Sequence, residues 1–156
     1  MSIRRKTELA FKGILDDAAI SGVQVLTSQN AQTTVKAKSR VVIRAMGGAQ
    51  VTPRSRNIRE MVIVSVESQA NQDRSTDSDP VDDHIERVRL VCAALNDIPG
   101  GLAAALSAQR SKPGVSPFYC SGIVPQGEYD DPPATEEAIL RDSLAYVATV
   151  AETDST

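Results

Sequence analysis

Apolar and polar residues alternate along this chain in two periods, one of about 3.6 residues and one of two. Thr7, Ala10, Phe11, Ile14, Leu15 and Ala18 recur at helical spacing, which predicts a helix ending near Ala19 with Gly22 just past it. Its start is open. With Ser2 as cap, Arg4, Arg5 and Lys6 fall in the first turn, where cations oppose the helix dipole. Either the helix begins nearer Thr7, or these cations meet an acidic partner. Val23 to Thr27 alternates and predicts a short strand. Ser28 to Arg40 is polar and predicts a long loop or projecting hairpin. A second strand is expected from Val41 to Met46, broken by Gly47-Gly48, with loop from 49 to 57. Ile58 to Glu67 gives the strongest strand pattern. Val62, Val64 and Val66 share one face, and Met61, Ile63 and Ser65 the other. Apolar residues on both faces imply a strand covered on both sides, by this chain's helices on one and by another subunit on the other.

The second half repeats the alternation of types. Asp79 as cap, Pro80 as first residue and Asp82 and Asp83 in the first turn predict a helix start. Val81, Ile85, Val88, Cys92 and Leu95 form its expected apolar stripe, and Asn96 to Gly101 its end. Leu102 to Gln109 reads as a short Ala-rich helix, and Ser111 to Ser116 as a turn. Phe118 to Val124 reads as a strand, and Gln126 to Pro133 as an acidic loop. Thr135 to Leu140 has the composition to begin a helix, but 139 to 151 is read as a closing strand. The polar end, Glu152 to Thr156, would fray unless something holds it. Together these predict an α+β fold. A mixed, mainly antiparallel sheet of about five strands carries two or three helices on one face. Residues 1–156 read as a single domain, with 28–40 and 126–134 as candidate projecting loops.

Composition adds a reason to expect partners. The chain has 156 residues, 41% of them apolar, yet no Trp, two Phe and three Tyr. An aromatic-poor core buries less area per side chain, so stability is expected to lean on neighbouring subunits. The net charge of −3 gives no general basis for binding nucleic acid or an anionic membrane. Its distribution is more informative. Lys36, Lys38, Arg40, Arg44, Arg54, Arg56 and Arg59 form a block with no acid between them. Glu67, Asp73, Asp77, Asp79, Asp82, Asp83 and Glu86 follow, against Arg74 alone, and Glu128 to Asp142 holds six acids and Arg141. Opposite blocks suit contact between copies in which one patch meets a different patch; they equally suit two solvated loops. No signal peptide and no membrane span are expected, and the two cysteines, Cys92 and Cys120, read as buried thiols in a reducing compartment.

Candidate chemistry is sparse. His84 is the only histidine, so any Ser-His-Asp or Cys-His device must use it. No Gly-x-Ser-x-Gly elbow accompanies it, and no pattern brings Cys120 to it; it reads as a partly buried or interface residue. Asp73, Ser75, Asp77 and Asp79 echo a calcium loop, but Ser78 stands where Gly is needed and His84 where the bidentate Glu belongs. One His and two distant Cys make no recognisable zinc site. Asp16-Asp17 and Asp130-Asp131 lack the setting of paired catalytic carboxylates, and no phosphate loop is present. No aromatic residue other than Phe11 lies between Arg4 and Arg110, which weakens a nucleic-acid reading of the basic block. No catalytic residue, cofactor or metal is expected.

The order of elements resembles the small tail-terminator (tail-completion) proteins of long-tailed bacteriophages, the lambda gpU-like group. The resemblance rests on the N-terminal amphipathic helix and on Arg-Glu-Met-Val-Ile-Val-Ser-Val-Glu (Arg59 to Glu67). It rests also on Asp-Asp-His-Ile-Glu-Arg-Val-Arg (Asp82 to Arg89) with its Val-Cys-Ala-Ala-Leu continuation, and on Leu140 to Val150. It implies a virion protein, assembled in the bacterial host cytoplasm, that forms a hexameric ring. Such a ring stops tail-tube growth, meets the tail-tube protein on one side and the head-closure or neck proteins on the other, and passes DNA only as cargo through its lumen. It implies no active site and no membrane. The interface residues it suggests are Lys36, Lys38, Arg40, Arg54, Arg56 and Arg59 on one side, with Asp77, Asp79, Asp82, Asp83, Asp130 and Asp131 opposing them. Segment 28 to 40 and the acidic stretch 128 to 133 are longer than a minimal member of the group needs. Another head–tail connector, a decoration protein, or a small enzyme or ligand-binding domain are the alternatives.

Overall fold

The first helix, α1 (Ile3–Ala18), begins at Ser2, whose hydroxyl accepts the Arg5 backbone N–H at 3.2 Å. The helix therefore starts before Thr7, and its first-turn cations do meet acids. Arg5 lies 3.8 Å from Glu8, and Lys6 lies 3.7 Å from Glu152 and donates to the Pro117 carbonyl at 3.2 Å. Thr7, Ala10, Phe11, Ile14 and Leu15 are buried, as their spacing predicts, while Ala18 is exposed. The helix closes on Ala19, which takes the left-handed conformation (φ 50°, ψ 52°) and returns its N–H to the Asp16 carbonyl at 3.1 Å. The computed structural model describes residues 2–30, 39–50, 56–69, 80–131 and 139–154; for 49, 80 and 128–131 the description is of backbone alone.

Eight further elements follow: β1 (Gln24–Thr27), β2 (Ser39–Gln50), β3 (Ile58–Gln69), α2 (Pro80–Asn96), α3 (Leu102–Ala108), a 3-10 turn (Gln109–Ser111), β4 (Tyr119–Asp131) and β5 (Ile139–Ala151). The fold is α+β, with one five-stranded mixed sheet in the order β1-β2-β3-β5-β4. Three of the four pairings are antiparallel; β1 runs parallel to β2, with Val25 beside Val41. A mixed, mainly antiparallel sheet is what the chain order predicts. The connection from Thr27 to Ser39 is too long for a tight hairpin, so the chain can return before entering β2.

All three α-helices pack on one face of the sheet: α1 over β1 and β2, α2 over β3 and β5, and α3 over β4. Alternation supplies that face. Val41 and Ile43 of β2, Val62, Val64 and Val66 of β3, and Leu144, Tyr146, Ala148 and Val150 of β5 join Phe11, Ile14, Leu15, Val91, Leu95 and Leu106 in a single core. Tyr146 fills its centre, its ring 5.8 Å from that of Phe11, and its hydroxyl donates to Asn96 Oδ1 at 2.9 Å. Glu8 ties α1 to the sheet, accepting the Ala45 N–H at 3.0 Å and the Ser28 hydroxyl at 2.8 Å.

Several boundaries and one orientation differ from expectation. Gly47-Gly48 does not end β2 but forms a bulge, at which the register shifts between Ala45 and Gly48. Gly47 has φ 93° and gives its N–H to Glu60 Oε2 at 3.1 Å, while a Cβ on Gly48 would lie 1.6 Å from the Arg59 carbonyl oxygen. Both positions need glycine, and the strand continues beyond them to Gln50. The predicted loop at 126–131 is likewise strand, paired with β5 as far as Asp131 opposite Arg141. Pro125 is tolerated because it lies at a second bulge on an edge strand. Residues 31–38, most of the other candidate projection, lie outside the described residues, and Arg40 is already in β2.

The α2 stripe holds in its second half, where Leu95 is buried and Val88 and Cys92 pack against the core, and fails in its first. His84, Val91 and Leu95 face the sheet, whereas Val81 and Ile85 are 48% and 59% exposed. His84 takes the inward place because β3 and β5 offer it two hydrogen bonds. The polar end does not fray at Asp154. Its carboxylate accepts from the Ser116 hydroxyl at 3.2 Å and from the Phe118 N–H at 3.4 Å, and its carbonyl accepts from Arg110 at 2.6 Å.

Candidate functional site

The sheet's second face carries no described helix, and the strand register orders its side chains into rows. At one end Arg40, Glu67 and Arg141 lie side by side across β2, β3 and β5. Glu67 is 4% exposed and accepts from Arg40 Nε at 2.6 Å and Arg141 Nε at 3.1 Å, so the buried carboxylate is answered by two guanidiniums. In the next row, the Ser65 and Ser143 hydroxyls are 2.9 Å apart beside buried Val42. Arg44, Ile63, Ala145 and Gly127 follow.

The row after that is apolar and open. Met61 pairs with Val147, and Val147 with Val124, while Met46 stands at the β2 bulge opposite Met61. Met46 is 64%, Met61 42% and Val124 58% exposed. These are three of the five large apolar side chains left exposed among the described residues, gathered into a strip across four strands. Exposed Arg44 and Arg59 flank it. Among the described side chains this face holds Arg40, Arg44, Arg59 and Arg141 against Glu67, so it is basic as well as apolar. A rimmed apolar patch of this kind marks a contact surface.

The residues singled out in the sequence divide accordingly. Arg40 and Arg59 lie on this face, and Arg56 is exposed just before β3. Asp82 is exposed and Asp83 half-buried in the first turns of α2, on the opposite side of the sheet. Lys36, Lys38, Arg54, Asp77 and Asp79 lie outside the described residues. Asp130 and Asp131 belong to β4, at the backbone positions opposite Asp142 and Arg141. Sequence reasoning missed Met46, Met61 and Val124 as a unit. The alternation of β3 hinted at them, but the strip appears only once three other strands are placed beside it.

It also missed a buried polar cluster. His84 is 3% exposed; its Nδ1 lies 2.7 Å from the Ser68 hydroxyl and its Nε2 lies 2.6 Å from Asp142 Oδ2. The three side chains share their composition with a Ser-His-Asp relay. The nucleophile's position argues otherwise. Ser68 is 2% exposed, and its oxygen also meets Arg87 Nη1 at 3.3 Å and the Ser39 hydroxyl at 3.4 Å. A hydroxyl held by three neighbours beneath a helix is built to join α2 to the sheet.

A cavity of about 480 Å³ lies elsewhere, between α3 and β4, lined in part by Ala103, Ser107, Arg110, Tyr119 and Cys120. Burial pushes the Cys120 thiol up to about 11, against a smaller downward pull from the Gly122 backbone, so it stays protonated at neutral pH. Both cysteines are free thiols. Among the described residues, no three His, Cys, Asp or Glu side chains gather as a metal site, and most of the calcium-like spacing lies outside them. No described helix is long and apolar enough to cross a membrane. No protein-family model matches the chain, and no curated protein matches it.

Proposed function

We propose that this chain is a virion structural protein of a long-tailed bacteriophage, forming a ring that terminates the tail tube and joins it to the head-closure or neck proteins. The observation that carries this reading is the open apolar strip Met46–Met61–Val147–Val124 on a sheet face that the described helices leave bare. Burying such a strip against another subunit is favourable at about 25 cal/mol per Å² of apolar area removed from water. The order of elements is the second support, being the order of the tail-terminator proteins that the sequence resembles. Side-by-side copies, most simply six, would each meet the tail-tube protein below and a neck protein above, with DNA passing through the opening. The chain acts without catalysis, cofactor or metal. The buried Ser68–His84–Asp142 cluster fastens a helix and has no exposed nucleophile.

The reading is tested with the tail-tube protein of the same particle. Added during tube polymerisation, the chain is expected to occupy one end of each tube and to shorten the tubes as its concentration rises. Tubes that grow to unchanged length with no added density at either end would contradict the terminator role. A ring that forms yet ignores tubes would instead favour another head–tail connector.

A further inference from the structure

Five large apolar side chains are exposed among the described residues, and they form two groups. Met46, Met61 and Val124 lie on the sheet face that carries no described helix; Val81 and Ile85 lie one turn apart on α2. The groups are on opposite sides of the sheet, since α2 packs on the covered face through His84, Val91 and Leu95. One chain therefore cannot bring them together, but two chains can. Charge follows the same division. The strip is flanked by exposed Arg44 and Arg59, whereas exposed Asp82 flanks Val81 and Ile85 on the first turns of α2, with Glu86 beside Ile85 already paired to Arg89 on the same helix. Glu86 is held ionised by the Arg89 guanidinium beside it, with a hydrogen bond from Nε at 2.9 Å.

We propose that the N-terminal half of α2 in one copy docks onto the Met46–Met61–Val124 strip of the next, head to tail. This rests on the assembly reading above and names its interface. Ile85 and Val81 enter the apolar row, while Asp82 meets Arg44 and Arg59. The exposed strip thereby gains a helical cover like that of the sheet's other face. The contact is heterologous, joining a helix flank to a sheet face, so copies close into a ring with no surface left over when the rotation per copy divides a full turn, and grow as an open filament when it does not. It also explains why the best apolar stripe in the sequence is half exposed. His84 turns Val91 and Leu95 inward with it, and leaves Val81 and Ile85 for a neighbour.

Met61→Asp and Ile85→Asp each remove one of the two complementary surfaces, and native mass spectrometry reads the result. Each variant alone is expected to lose the ring, with subunit affinity weakened about 30-fold or more, as when a central interface residue is lost. Mixed in equal amounts, they should form a 1:1 dimer and stop there, because only one intact pair of surfaces remains. Val124→Asp, on the edge strand, replaces Met61→Asp if the latter melts below wild type. Rings that persist in the single variants would overturn this interface while leaving assembly itself intact. Two monomeric variants that do not pair would overturn the head-to-tail arrangement. A wild-type chain that stays single would sink both the interface and the reading beneath it.

Discussion

Glu60 is the residue whose chemistry is least comfortable in the fold. It is 3% exposed, and burial holds its carboxyl above the usual carboxylate range. The Arg4 guanidinium and the Gly47 N–H pull it back in part, and the Glu8 carboxylate adds to the upward push. A carboxyl raised on folding contributes stability that is fully present below its unfolded pKa and is lost as pH rises through the folded value. Glu60→Gln keeps an acceptor for the Gly47 N–H and removes the buried charge. The variant is expected to melt above wild type at pH 7, with the gap closing as pH falls to 4. Thermal scans across that range decide it, and a gap of constant size would show that desolvation is not the cause. Glu67 is the contrast, equally buried but joined to Arg40 and Arg141. Position along the chain placed Glu67 in an acidic block; only the strand register reveals that it is spent within the sheet. His84 is similar: its partners Ser68 and Asp142 are remote in the sequence, and no local pattern announces them.

At the scale of elements, periodicity was most reliable where both the pattern and its ends were strong. β5 spans 139–151 as its alternation predicts, and β3 emerges where Val62, Val64 and Val66 alternate with Met61, Ile63 and Ser65. The ends of β2 and β4 were illegible because glycine and proline usually break strands, while here they sit in bulges that the partner strand carries through. The first turns of α2 were illegible for a different reason, since there a polar histidine took the sheet-facing place and left isoleucine exposed. One element carries visible strain. Ala19 ends α1 at φ 50°, a conformation that costs a Cβ-bearing residue about 1–2 kcal/mol. Ala19→Gly is expected to stabilise the protein by about 0.5–1 kcal/mol in urea unfolding, after the entropy lost by a more flexible unfolded chain. A destabilised variant would mean that the helix end, and not its strain, governs stability there.

The molecule as a whole is a two-layer unit with helices over one sheet face and an apolar, basic strip on the other. Its core contains few aromatics, so the Phe11–Tyr146 pair and a set of Val and Leu residues hold it together. In the assembly proposed above, a like copy would cover that exposed strip. Charges at the rim of that contact would guide approach and register, so assembly should weaken as salt rises. Native mass spectrometry of the wild-type chain at micromolar concentration tests this account most directly. A single closed species of several copies, six in the simplest case, is the predicted result. A mass of one chain throughout the concentration range would contradict it.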